Sequence, residues 1–271
     1  MALIPDTGVT LMRLDYAESS QVLAIFTRGH GKVRAIAKGV KRSTKTRFAV
    51  GIDLLEIGDL VVSVRQPRQE ALAILTEWKQ SAALSGLRTS LDRLNAAQYA
   101  CEITAALTED WDPHPGLHDG LVGLLTALCD AGNTLGRVVG YQATLLHEIG
   151  LWPQWEACVS CQRPPAGGEV YFSSFEGGVV CRDCETAFTE KRLLDQAALR
   201  LLQTCGNSPG WPTSSEVGDA KRNALGAAIH GVFDVLNYHI SHQMGRAPLL
   251  ASKLLGGRRD SVSPTTQRKA E

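Results

Sequence analysis

Over residues 1 to about 80, apolar and polar positions alternate in short runs broken by Gly, Asp, Ser and Pro. Val9–Leu14, Gln21–Thr27, Lys32–Lys38, Leu54–Val64 and Ala71–Trp78 read as β-favouring runs, and five of them suit a small barrel. The turn between the second and third runs holds Gly29-His30-Gly31, where glycine supplies the positive φ that a tight hairpin demands. From about Leu84 the period lengthens. Leu87, Leu91, Leu94, Ala97, Cys101 and Ala105 recur at steps of three and four, as do Leu121 to Leu128 and then Leu135 to Ile149. These are amphipathic helices, and the short connections Asp110–Gly116 and Ala131–Thr134 predict antiparallel neighbours. Helical patterning resumes over Leu193–Thr204 and from about Ser215 to Met244, the latter with Leu225, Ile229, Val232, Phe233, Leu236 and Ile240 on one stripe. From Gly256 onward the chain is polar and aperiodic, which predicts disorder.

Between the two helical stretches the informative signal is cysteine spacing. Cys158-Val-Ser-Cys161 and Cys181-Arg-Asp-Cys184 are nineteen residues apart, within the range of about 15–20 found for four-cysteine zinc sites. Each knuckle offers two thiolates, and Glu169–Phe175 with Gly177–Cys181 reads as a hairpin carrying the second pair to the first. Four sulfurs fill a tetrahedron and leave no place for water or substrate, so one zinc ion per chain would act as a staple. Two disulfides, or four unrelated thiols, are the competing reading. Cys101, Cys129 and Cys205 lie singly in helical patterns, as buried reduced thiols do.

Composition narrows the class. The chain has 271 residues, 44% apolar and 21% charged, with no apolar run long enough for a bilayer and no signal peptide, which points to the cytoplasm. Formal charge is zero, against a globally basic nucleic-acid binder, but its distribution is uneven. From residue 28 to residue 47 there are eight cations, Arg28, Lys32, Arg34, Lys38, Lys41, Arg42, Lys45 and Arg47, and no acid. Strand alternation puts Val33, Ala35 and Ala37 on one face and Lys32, Arg34 and Lys38 on the other, and a basic loop follows. A phosphate-tracking groove is the functional reading; an edge strand guarded by lysines, or a localisation signal, is the plainer one. Edge protection needs one or two cations rather than eight. With no Phe, Tyr or Trp in that stretch, affinity should come from phosphate charge, tolerate single and double strands alike, and weaken with salt.

Catalytic constellations are poor. Gly29-His-Gly-Lys lacks the spacing of a phosphate loop. His114 and His118 with Asp110 or Asp112 could suggest a second metal, but Pro113 and Pro115 break the helix that would align them. His239 and His242 read as polar-face residues of the last long helix. A zinc-dependent nucleotide- or base-modifying enzyme would need an open coordination position and a His-x-Glu pair, and neither appears. The other alternative is a protein-binding adaptor whose basic face engages an acidic tail.

Short motifs in order along nearly the whole chain carry a resemblance: Tyr16-x-Glu18-x-Ser20, Thr27-Arg-x-x-Gly31-Lys32, Lys38-Gly39-x-Lys41-Arg42-Ser43, Gly150-Leu-x-Pro153, Phe172-Ser-x-x-x-Gly177-Gly178 and Gly245-Arg-x-Pro248-Leu with Ser252-Lys253. Together they resemble the RecO family of bacterial recombination mediators. The resemblance implies an α+β multidomain chain: an OB-fold barrel over residues 1–80, a helical domain over 81–154 and 189–255, an inserted zinc module over 155–188, and a tail over 256–271. It implies a non-catalytic, nucleoid-associated role in repair of DNA gaps and breaks. Binding of single- and double-stranded DNA, annealing of complementary strands, and action with RecR, and in some contexts RecF, to load RecA onto strands coated by single-strand-binding protein all follow from it. Arg28, Lys32, Arg34, Lys38, Lys41, Arg42, Lys45 and Arg47 become DNA contacts, and Cys158, Cys161, Cys181 and Cys184 zinc ligands. One departure is Gln162-Arg163, where the family often has glycine after the first knuckle.

Overall fold

The computed structural model describes residues 2–16, 18–40, 51–64, 72–82, 84–165, 168–205 and 219–255. The expected tail from 256 to 271, and Lys41, Arg42, Lys45 and Arg47, lie outside the described residues.

Five strands, β1 (Ala2–Tyr16), β2 (Ser20–Thr27), β3 (Gly31–Ala37), β4 (Ile57–Val64) and β5 (Ala73–Ala82), close a barrel in the order β1-β2-β3-β5-β4. All pairings are antiparallel except β3 with β5. This is the five-stranded, OB-like barrel that the strand count suggested. β1 starts seven residues before the expected run, at Ala2 rather than Val9. Its first half pairs with β4 and its second with β2, and β2 pairing begins only at Gly8, so Pro5 leaves no ladder on that side interrupted. Gly8 is obligatory at the crossover, because a Cβ there would come within 2.6 Å of Ile25 Cγ2. The inward positions Ile25, Val33, Ala35, Ala37, Leu60, Val62 and Leu75 fill the barrel.

The helical part comprises α1 (Leu91–Leu107), α2 (Pro115–Leu128), α3 (Thr134–Glu148), α4 (Gln196–Cys205), α5 (Asp219–Met244) and the short α6 (Ala251–Leu254). α1 lies at its centre, in contact with α2, α3, α5, α6 and β1. Ala96, Ala97 and Ala100, all wholly buried, let these neighbours approach closely. Leu87, Ala97 and Cys101 of the expected stripe are buried, but Leu91 is 70% exposed, and Tyr99 and Ile103 are buried as well. The helix expected from Leu193 begins instead at Gln196, since Arg192–Leu194 forms a strand, β8, and Asp195 caps the helix by accepting from the Ala198 N–H at 2.9 Å.

β8 joins β6 (Val170–Ser173) and β7 (Gly178–Cys181) in a sheet ordered β7-β6-β8. α3 and α5 pack together although this small sheet separates them in sequence, so the cysteine module is inserted into the helical unit. Val9, Leu11, Phe26, Leu55 and Ile57 of the barrel belong to the helical core, which makes the junction apolar.

Candidate nucleic-acid interface and metal centre

The cationic strand has the alternation its sequence demands. Val33, Ala35 and Ala37 are wholly buried, Arg34 and Lys38 are exposed, and Lys32 is half-buried. The cations near the start of β3 are not free, however. Lys32 Nζ donates to the Ala105 and Thr108 carbonyls at 2.6 Å each and lies 3.5 Å from Asp110. It thereby satisfies carbonyls at the C-terminal end of α1, where a helix leaves acceptors unpaired and attracts positive charge. Arg34 Nε meets Asp110 Oδ2 at 2.5 Å. Arg28 makes a two-pronged contact with Asp119, Nε to Oδ1 and Nη2 to Oδ2 at 2.9 Å each, and this guanidinium, with His118, holds the Asp119 carboxyl down to about 2. Of the eight predicted phosphate contacts, three thus tie the barrel to the helical unit. Lys38 stands exposed at the head of the basic run, and the other four lie outside the described residues.

Sequence reasoning missed the partner of Lys32 and Arg34, the segment Asp110-Trp111-Asp112. It lies along β3, with the Trp111 N–H donating to the Lys32 carbonyl at 3.0 Å and the Trp111 ring against the barrel core. Gly31 is needed here twice over: its φ is +70°, and a Cβ would come within 1.9 Å of the Asp112 carbonyl oxygen. The available signal was two acids flanking an aromatic, opposite a strand of cations.

Of the candidate histidines, His118 and His239 are buried. His114 precedes α2, while His118 is buried near the Phe26 ring, so the two do not form a metal site. His239 is buried, contrary to the polar-face expectation. Its Nε2 donates to the Leu151 carbonyl at 3.0 Å, and its Nδ1 accepts from the Ser174 hydroxyl at 2.8 Å. Burial depresses its pKa, in keeping with that neutral tautomer.

The four knuckle cysteines do converge. Their sulfurs all lie within 4.8 Å of one another, with Cys161 Sγ 3.8 Å from Cys181 Sγ. A tetrahedron with metal–sulfur bonds of about 2.3 Å has edges of about 3.8 Å, whereas a disulfide needs about 2.05 Å. The cluster fits a four-coordinate metal and no disulfide. Backbone N–H groups prepare it: Cys181 N–H lies 3.4 Å from Cys158 Sγ, and the Arg163 N–H and guanidinium bring the Cys161 thiol down to about 6. Burial, which disfavours the charged thiolate, and hydrogen bonds with the Cys184, Cys158 and Cys161 thiols push Cys181 up to about 11, a cost that a bound divalent cation would offset. Gln162 adopts φ +58° after the first knuckle, so the turn persists without glycine, at a cost of about 1–2 kcal/mol. Gly178 brings the second knuckle's hairpin against the first, for a Cβ there would lie 2.6 Å from Val159.

An aromatic series docks the module. His147 stacks on Trp152 at 4.3 Å, Trp152 meets Trp155 edge-on at 5.9 Å, and Trp155 stacks on Phe172 at 5.1 Å. Phe172 then meets Tyr238 and His239 of α5. Glu190 clasps the β6–β7 turn, accepting from Ser173 Oγ, the Ser174 and Phe175 N–H groups and the Tyr238 hydroxyl.

Comparison with known proteins agrees with this architecture. Residues 1–83 match the family described as Recombination protein O N terminal, and residues 88–252 match Recombination protein O C terminal. The DNA repair protein RecO of Anaeromyxobacter dehalogenans (strain 2CP-C) is 31% identical over 258 residues, covering 93% of this chain and 98% of its own length. Those of Rhodopirellula baltica and Bacillus pumilus (strain SAFR-032) are 28% and 27% identical, each covering about three quarters of both chains.

Proposed function

Since the chain belongs to the RecO family of DNA repair proteins, we propose that it acts as a non-catalytic mediator that anneals complementary strands and, with RecR, assists RecA loading. RecF and single-strand-binding protein are further partners on this reading, and the site of action is the cytoplasm, at the nucleoid. Among the described residues no helix is long and apolar enough to cross a membrane.

The observation that carries the reading is the acid-free cationic run leaving the outer face of β3 at Lys38. Two DNA strands repel through their phosphates, and cations that neutralise several of them lower that barrier without nucleotide hydrolysis. Lys38, Lys41, Arg42, Lys45 and Arg47 are the principal contacts. Arg28 and Arg34, with side chains 55% and 63% exposed, share phosphates from the rim, while Lys32 holds the junction from which the surface is presented. The four cysteines hold one zinc ion, because thiolate softness and tetrahedral spacing select it. Bound there, zinc supplies cross-linking and no chemistry.

The test is fluorescence-monitored annealing of complementary oligonucleotides across a salt series, without nucleotide. The Lys38→Glu/Lys41→Glu/Arg42→Glu triple variant is expected to lose annealing, with the log–log salt slope of binding flattened by about two. An unchanged slope removes this surface from the account, and absence of DNA binding at low salt removes the mediator reading.

A further inference from the structure

We propose that Asp110 and Asp119 are built-in phosphate mimics: two acids of the helical unit that occupy Arg34 and Arg28, must be displaced by DNA, and so limit how tightly the protein holds a strand. The inference rests on the DNA-binding reading and deepens it, since the chain then carries its own competitor for the ligand.

Topology delivers the acids. Asp110 lies between α1 and α2 and Asp119 in the second turn of α2, 76 and 91 residues beyond the arginines they meet. The Trp111 N–H, donating to the Lys32 carbonyl, fixes the first of them beside β3. Arg34 Nε donates to Asp110 Oδ2 at 2.5 Å. The Arg28 guanidinium takes both oxygens of Asp119 through two N–H groups, the fork by which arginine also grips a phosphate. A carboxylate thus already fills the place of the anion. Asp6, the other acid near Arg28, is engaged by the Thr7 and Gly29 N–H groups and by His30.

These two pairs are poorly placed to act as ties. Both arginine side chains and that of Asp119 are more than half exposed, and ion pairs in water add little to stability. The junction closes without them, through Val9, Leu11, Phe26, Leu55 and Ile57 and through Lys32 on the α1 carbonyls. Lys32 makes the contrast: its side chain is 14% exposed and its ammonium group serves acceptors that no phosphate could replace. Exposed pairs can change partners where they stand. A phosphate brings the same charge and the same two-oxygen edge as the carboxylate, so the exchange keeps each guanidinium paired and releases the acid to water. What DNA gains at Arg28 and Arg34 is only the difference between two pairings.

The experiment measures binding of oligo(dT) and of a duplex across a salt series by wild type, Asp110→Asn, Asp119→Asn and the double variant. Asp92→Asn is the control, because it removes the same charge from the first turn of α1, about 20 Å from the end that faces β3. The double variant is expected to bind DNA about 2- to 25-fold more tightly, with the log–log salt slope steeper by about one to two as the freed guanidiniums reach phosphates. Adding Arg28→Gln and Arg34→Gln should abolish the gain, and Asp92→Asn should match wild type, since salt screens a charge at that distance. If the double variant fails to fold, Asp119→Asn with and without Arg28→Gln carries the same test at the more exposed pair. Unchanged or weaker binding by the acid variants, while wild type binds DNA, overturns the mimicry. An equal gain in Asp92→Asn also overturns it, by reducing the effect to net charge. No binding of either DNA by wild type at low salt overturns the DNA-binding reading instead.

Discussion

Lys32 shows how one residue can change role between sequence and structure. In the chain it is one of eight cations in an acid-free run, but its ammonium group is shared by two α1 carbonyls and Asp110. Removing it strands buried acceptors. Lys32→Met is expected to cost about 1.5–3 kcal/mol of stability, measured by denaturant unfolding, whereas Lys38→Met, at an exposed position, should leave stability nearly unchanged and weaken DNA binding. Equal stability of the two variants would show that the Lys32 contacts contribute nothing net.

At the scale of elements, the cysteine module sits on its aromatic seat, and on the proposed reading a metal on its four thiols holds it as well. Cys181→Ser is expected to lose the metal and lower the melting temperature, and a chelator should do the same to wild type but not to the variant. Melting of the variant at the wild-type temperature with metal retained would contradict the staple. The seat also responds to acid. Burial depresses the His239 pKa, so the unfolded chain takes up a proton near pH 6.5 that the fold resists, and stability falls as pH drops below about 6.5. Burial raises the Glu190 pKa, but Tyr238, the Phe175 N–H, Ser173 and the Ser174 N–H outweigh it and hold the carboxyl below its ordinary range. That contribution is full above about pH 4.3 and disappears as pH falls through the lower folded value. In His239→Asn the loss of stability between about pH 7 and about pH 5.5 should be smaller than in wild type. An equally steep loss would assign that window to another group.

For the whole molecule, the junction governs. Val9, Leu11, Phe26, Leu55 and Ile57 face the helical core from the barrel side. Exposing five such side chains costs on the order of 7–15 kcal/mol, comparable with the total stability of a domain. A fragment of residues 1–82 is therefore expected to be unfolded or self-associated, as light scattering and circular dichroism would reveal; a monomeric, cooperatively melting fragment would show the barrel to be independent. Adding α1 to α3 should restore order.

Period and spacing along the chain determined much of this protein. A period of two set five strands and the inward face of β3, because side chains on a pleated strand must alternate. Nineteen residues between two knuckles set a cluster of four converging thiols, because ligand spacing is a local constraint. Tertiary structure alone decided where surfaces meet. No local pattern in Arg28, Lys32 or Arg34 tells that Asp119, Asp110 and the α1 carbonyls, more than seventy residues away, will engage them. Nor does the β1 sequence reveal that Leu14 will pair with Val22 and Val22 with Ile36, since register across three strands follows from the closed barrel. Short-range periodicity records which side of an element is apolar, but the partner of each side is chosen by long-range packing, which a linear pattern does not contain.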